Sequence, residues 1–353
     1  MKLFWSSLRR SPVAFLSFLI LAFLYFLLIS ADFLAPYEAN QLFSKHVFLP
    51  PNLSWSSEKL GFGPQVQKQA LSDPLTWNYV RVRGTQELLV WFPEVPEYRL
   101  WGVIPMRHKL FGSSGSEPIF LMGGDGLGRD IFSRILLGSR ISLTVGFFAS
   151  FISLGIALTL GGLAGYFGGI LDSLMMRLSE FLILIPGLYL ILFLRSVISR
   201  DLDSGQSYIL ITLVLSFVGW PGTARMIRGM VHSIKAEEFV LEAKLSGVPV
   251  LAILWKLIIP QMSSLLIVSF ALGVPGFILS ETVLSYLGLG IADPSVSWGS
   301  MISRDLTTLS NLQRHPWILW PGFFLIVTSI AFTFLGEWLR DWLDPWHTLG
   351  RRS

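Results

Sequence analysis

The residues that most often do chemistry are sparse in this chain and poorly spaced for it. His46, His108, His232, His315 and His347 lie far apart, so no H-E-x-x-H or comparable metal-ligand spacing exists. Cysteine is absent, which removes disulfides, thiolate metal sites and cysteine nucleophiles. Neither a G-x-S-x-G elbow nor a Walker A loop is present, so the chain has no familiar way to bind and hydrolyse ATP itself. Gly126 and Gly128 lack the third glycine of a nucleotide loop, and Asp125 between Gly124 and Gly126 lacks the alternating acidic ligands of a calcium loop. What remains are acids in apolar surroundings. Burying a carboxylate in a membrane is expensive and marks a path or a pairing. Glu281, with Ser285 one turn on, reads either as lining a polar translocation path or as a carboxylate that packs helices together. Glu180 reads as paired with Arg177 or with another chain.

Those acids sit in a chain built for lipid. It has 353 residues, 52% of them apolar and 14% charged, against about 25% charged in soluble domains. Mean hydropathy is +0.60. The net charge of +4 is small and scattered, so a nucleic-acid partner is excluded along with disorder and most soluble enzymes. A bilayer core of about 30 Å takes roughly 20 apolar helical residues. Runs of that kind cover 13–30, 141–166, 174–194, 208–220, 262–287 and 317–335. The fourth is short, and Gly219, Pro221 and Gly222 suggest a bent helix continuing towards Ile227. The fold class is therefore an all-α polytopic membrane protein with six transmembrane helices.

Lys2, Arg9 and Arg10 precede the first run, which is longer than the apolar stretch of a signal peptide and reads as an uncleaved anchor. The positive-inside rule keeps this end in the cytoplasm. Threading onward puts 31–140 outside, 168–172 inside, 200–205 outside, 223–261 inside, 291–316 outside and the tail from Gly336 inside. The inside segments carry Arg225, Arg228, Lys235, Lys244, Lys256, Arg340, Arg351 and Arg352.

Residues 32–125 differ in composition, with nine prolines up to Pro118 and charges of both signs. Here 79–83 and 88–92 read as short strands around a turn at Gly84. Their density of proline and tryptophan predicts an ordered extracytoplasmic insert rather than a linker. Next comes Gly128-Arg129-Asp130-Ile131-Phe132-Ser133-Arg134. Its apolar and basic positions suit an amphipathic helix lying in the interface ahead of the second span.

The loop 223–261 is the most informative stretch. Met226, Ile227, Met230, Val231 and Ile234 recur at helical spacing, so the fourth span extends into the cytoplasm. After a polar break at Lys235-Ala236-Glu237-Glu238, the segment from Phe239 to Ser246 makes about two helical turns. Gly247 suits the left-handed cap that ends them, and Pro249 suits the first turn of the next helix, which runs through Pro260 into the fifth span. A two-turn helix outside the membrane has little of its own to bury. A partner protein must cover it.

At this point the sequence resembles the inner-membrane permeases of ABC importers, whose signature is E-A-A-x3-G-x9-I-x-L-P. Ala243, Gly247 and Pro260 match, while Leu241 and Glu242 replace the first two residues; Glu237 and Glu238 stand nearby as substitute acids. Gly128–Arg134, Gly138–Leu143, Asp172–Pro186, Glu281–Gly290, Ser297-Trp298-Gly299 and Leu339–Pro345 follow the order of the oligopeptide/dipeptide branch, in its C-type subunit. The resemblance covers about 126–352 and the first span.

It implies a type I importer permease fold, divided into a cytoplasmic terminus and first span (1–31), the insert (32–125) and a permease domain (126–353). It also implies a multi-pass protein of the bacterial inner membrane with both termini cytoplasmic, and half of a pathway for peptides or similar solutes. The partners implied are a second permease, two cytoplasmic ATPase domains that bind the ATP, an extracytoplasmic binding protein and membrane lipid. Glu237, Glu238, Phe239, Glu242, Ala243, Gly247 and Pro260 would couple to the ATPases. The chain itself would carry no catalytic residue, metal or cofactor. The rival classes are a membrane enzyme with its active site in the insert and a passive channel; neither requires stoichiometric ATPase subunits.

Overall fold

The computed structural model describes residues 2–57, 61–74, 76–197, 202–291, 294–306 and 309–343. Arg200, Asp344, Pro345, Arg351 and Arg352, used in the topology and motif readings above, lie outside the described residues. Helix α1 (Lys2–Arg10) leads into the apolar α2 (Pro12–Ile29) and the single turn α3 (Ala31–Leu34). After a β-rich segment come α4 (Ile131–Phe167), α5 (Gly169–Leu184), α6 (Gly187–Val197), α7 (Ser204–Ile234) and α8 (Glu238–Leu245). Then α9 (Val250–Ala252) widens into a π-helix over Ile253–Ile258 and closes in α10 (Ile259–Gln261). Finally α11 (Ser263–Tyr286), α12 (Trp298–Asp305), α13 (Leu309–Arg314) and α14 (Trp320–Leu343) complete the chain.

Five of these stretches are long and apolar enough to cross a bilayer: Pro12–Ile29, Ile131–Phe167, Ser204–Ile234, Ser263–Tyr286 and Pro316–Leu343. The expected third span is instead a pair, Gly169–Leu184 and Gly187–Leu194, bent by 94°. Ile185 between them is extended and Pro186 follows it, as a residue before proline prefers. The chain ends decide whether the pair crosses. Phe4 packs edge-on against Trp338 and Trp342, at 5.2 and 5.3 Å between ring centroids, and Leu8 and Ala14 are buried with Trp338. The amino-terminal helix and the end of α14 therefore share one side of the membrane. That requires an even number of crossings, so the bent pair is the sixth.

The Gly273-Val274-Pro275-Gly276 stretch lies inside the continuous helix α11 although it holds two glycines and a proline. A break comes earlier, at Met262. There Pro260 offers no N–H, and the preceding turn is widened so that Ile259 N–H donates to Leu254 O.

The chain divides into two compact units, 1–21 with 145–281 and 328–353, and 22–144 with 282–327. The first holds its largest core around Trp220, Ala224, Ile227, Val231, Ile253, Leu254, Ile258 and Met262. Within it, Gly161 and Gly165 stand one turn apart on α4, and a Cβ at Gly165 would lie 2.6 Å from Arg228 O of α7. A Cβ at Gly161 would press still harder on the Ala224 carbonyl. This is a small-xxx-small contact that lets two helix backbones meet.

The second unit carries the β-rich segment. β1 (Leu53–Ser57), β2 (Gly61–Asp73), β3 (Asn78–Trp91) and β6 (Phe111–Ser113) form an antiparallel sheet in that order, and β4 (Glu94–Leu100) pairs with β5 (Ile104–His108). The two strands expected around Gly84 are one strand. Gly84 takes φ +76° where the pairing with β2 shifts register between Gln67 and Gln69, so it bends β3 without reversing it.

Candidate functional site

The two-turn helix forms as its sequence demands. It spans Glu238–Leu245 and ends in a Schellman cap: Val248 N–H donates to Ala243 O (3.1 Å), Gly247 N–H donates to Lys244 O (3.2 Å), and Gly247 has φ +76°. Val240 is its single buried side chain, seated with Ile253, Leu254 and Ile258, and Ala243 packs half-buried beside it. Glu237, Glu238, Phe239, Leu241, Glu242, Gly247 and Pro260 are exposed, and Leu245 is 88% exposed. Phe239, Leu241, Leu245, Val248 and Leu251 thus present a continuous stretch of chain with large apolar side chains in the open. Scattered exposed apolar residues are ordinary, but a run of them outside the spans marks an interaction surface.

This helix is also braced to the spans. Lys235, just past α7, donates through Nζ to the carbonyls of Gly165 (3.0 Å) and Tyr166 (3.3 Å) at the end of α4. These are terminal carbonyls that a cation suits. Arg228 on α7 grips Asp172 on α5 through two bonds of 2.8 and 2.5 Å. Glu180 pairs with Arg225 of α7 at 3.3 Å rather than with the expected Arg177. Three helices are thereby tied at the base from which the short helix projects.

The stretch Gly128–Arg134 corrects its expectation. It is not an amphipathic helix exposed to lipid headgroups. Arg129 and Arg134 are each 2% exposed, and Asp130 and Ser133 are buried with them. Arg129 Nε donates to Asp125 Oδ2 at 2.6 Å, Arg134 Nε lies 3.6 Å from the same oxygen, and Arg134 also bonds Ala39 O at 2.7 Å. Asp125 Oδ1 takes the N–H groups of Leu127 and Arg129, and Gly128 turns the chain with φ +76°. Asp130 precedes α4 and accepts both the N–H (2.8 Å) and the hydroxyl (2.6 Å) of Ser133, which makes it the helix cap. Asp305 Oδ1 closes the knot from far along the sequence by accepting Gly126 N–H. Burial pushes the Asp130 carboxyl up to about 7 and Asp305 up to about 6. The motif is a structural ion cluster.

The path candidates are placed as follows. Glu281 is fully buried, and Ser285 is buried with its hydroxyl 3.3 Å from that of Ser297. Neither lines the recess of about 300 Å3 in the first unit. Its lining, from α4, α7 and α11, combines the hydroxyls of Ser150, Ser153, Thr223, Ser269 and Ser280 with Phe277, two leucines and three glycines. Spacing gave no hint of it, since each serine looks like an ordinary helix-packing residue alone. Ser297 and Trp298 are structural: Ser297 caps α12, and Trp298 donates to Ser142 Oγ and Ile135 O. Among the described residues, no group of three or more His, Asp and Glu side chains is placed to hold a metal ion.

A family model described as "Binding-protein-dependent transport system inner membrane component" matches residues 157–348, more than half of the chain. A second, "N-terminal TM domain of oligopeptide transport permease C", matches residues 1–51. The chain is 40% identical over 230 residues to the oligopeptide transport system permease protein OppC of Haemophilus influenzae, covering 65% of this chain and 71% of that one. It is 42% identical over 224 residues to the dipeptide transport system permease protein DppC of Bacillus subtilis, covering 63% and 68%. A chain of the MetNI methionine ABC transporter in inward-facing conformations overlays it with a TM-score of 0.45 at 15% identity, over 60% of this chain and 96% of that one. The family models and the sequence relatives decide the assignment: this is a multi-pass membrane permease belonging to the family of binding-protein-dependent transport system inner membrane components.

Proposed function

We propose that this chain is one of two permease subunits of an ATP-driven importer of peptides or similar small solutes. It resides in the bacterial inner membrane with both termini cytoplasmic. A second permease completes the pathway, two ATPase domains bind and hydrolyse ATP beneath it, and an extracytoplasmic binding protein delivers the solute. The chain itself is not the catalyst. The peptide cargo follows the names of its oligopeptide and dipeptide transport relatives.

The observation that carries this reading is the short helix Glu238–Leu245, which buries Val240 and leaves Phe239, Leu241 and Leu245 open. Such a surface fits a cleft in an ATPase. Closure of the ATPase pair moves the helix, and the ties Lys235–Gly165, Arg228–Asp172 and Arg225–Glu180 carry that motion into α4, α5 and α7. Nucleotide shifts such a two-state element only through contacts that differ between its states. Solute passes along the recess of α4, α7 and α11, whose lining includes five hydroxyl side chains; Glu281 and Ser285 are buried and are not among its lining residues.

The test is Phe239→Asp together with Leu245→Asp in the assembled transporter. Both side chains are exposed in this chain, so insertion and folding should be unchanged while solute-stimulated ATP hydrolysis is lost. Unchanged stimulation in that variant contradicts the reading.

A further inference from the structure

The β4–β5 hairpin ends in a turn that its sequence disfavours. Trp101 and Gly102 both have positive φ, +56° and +71°, and Val103 N–H donates to Leu100 O at 3.1 Å. Glycine takes that backbone freely, but a bulky aromatic residue there is an outlier. Strain of this kind persists where neighbours over-determine it. Here they do. Trp101 N–H donates to Asp32 Oδ2 (2.9 Å), and its indole Nε1 donates to the carbonyl of Ile29 (3.0 Å). The Arg140 guanidinium lies 4.3 Å over the Trp101 ring while gripping both Asp32 oxygens and donating to Leu28 O.

Leu28 and Ile29 end the apolar helix α2, so their carbonyls lack helical donors and stand where that span leaves the hydrocarbon. The hairpin tip is thereby pinned at the level of the membrane boundary. The side chains at the turn itself are apolar: Val103 is 75% exposed and Ile104 and Trp101 are about half exposed, and Phe23, Phe26 and Ile29 of α2 are exposed as well. Of the hairpin's charged residues, Arg99 is exposed just behind the tip, opposite Pro105, while Glu94 and the Glu97–Arg107 pair (3.2 Å) lie further back. A two-stranded hairpin is marginal in water without something to pack on. Tryptophan prefers the interface because its ring is apolar and its N–H wants a partner.

We propose that the tip Trp101–Ile104 is a foot that inserts into the interfacial zone of the lipid leaflet next to the end of α2. It steadies the β-rich segment on the membrane. The partner is lipid, recognised by the apolar side chains of Trp101, Val103 and Ile104, with Arg140 at headgroup depth. This rests on α2 being a span and not on the cargo or the ATPase contact.

The absence of native cysteine allows single-cysteine variants of the full chain, spin-labelled in the assembled complex in vesicles of phosphatidylethanolamine and phosphatidylglycerol. A label on Val103→Cys should collide several-fold more with lipid-soluble oxygen than with a water-soluble nickel chelate. A label on Glu97→Cys should show the reverse. If position 103 behaves like position 97, the tip is in water and the proposal is overturned. If position 103 is shielded from both reagents, a protein covers it, and the proposal is equally overturned.

Discussion

Gly247 and Asp125 show how single residues hold the two kinds of site together. Gly247 has open space around its missing Cβ, so bulk alone is not excluded there; its φ of +76° is the constraint. Gly247→Asn, which tolerates the left-handed region, should keep solute-stimulated ATP hydrolysis, whereas Gly247→Val should lose most of it. Asp125 sits between two buried arginines. Asp125→Asn removes the carboxylate that both arginines share, and removing one partner of a buried pair costs about 3–5 kcal/mol; folded yield and melting temperature in detergent should fall sharply.

The same cluster makes stability depend on pH. The Asp130 and Asp305 carboxyls hold their protons more tightly folded, at about 7 and about 6, than unfolded. The folded chain then binds more protons across that window, and stability declines as pH rises from about 4 to about 7 before levelling. Melting temperature should be higher near pH 5 than near pH 8. Asp130→Asn should flatten the difference, since Asp125, Asp305, Arg129 and Arg134 then remain without the largest titrating member.

At the scale of elements, the close approach of α4 to α7 is the feature most exposed to test. Gly165→Leu drives a side chain into the Arg228 backbone. Overpacking of that kind costs about 1–3 kcal/mol and should lower the melting temperature, whereas Gly155→Leu, with nothing near its Cβ, should not. The spans themselves were legible because lipid demands uninterrupted apolar runs. The short helix was legible too, because Lys235–Glu238 and Gly247 punctuate it on both sides.

What stayed hidden shares a physical cause. A proline announces a break but not its angle, so Pro186 did not disclose the 94° bend. An alternation of arginine and apolar residues has the same pattern on an interfacial helix as in a buried ion cluster. The deciding partner, Asp305, lies 179 residues from Gly126. Likewise α1 is short and polar on average, and its role shows only through Phe4 meeting Trp338 and Trp342.

At the scale of the whole molecule, the proposed role has the chain take its energy from partner ATPases. Asp125, Asp130 and Asp305 are tied into a buried cluster or a helix cap, and the short helix of loop 223–261 presents Phe239, Leu241 and Leu245 in the open. The shared side of α1 and the end of α14 gives an even number of crossings; under the cytoplasmic amino terminus that we propose, that loop lies in the cytoplasm as well. In the proposed mechanism, the helices braced by Lys235, Arg228 and Arg225 move with it.

The most direct measurement uses Leu245→Cys in this cysteine-free chain, within the assembled transporter in native membranes. A cross-linker with one thiol-reactive and one photoreactive end, attached at position 245, should join it to an ATPase subunit, with a yield that changes when ATP is added. Labelling of position 245 in intact cells by a membrane-impermeant thiol reagent, with no cross-link to the ATPase, would contradict the account.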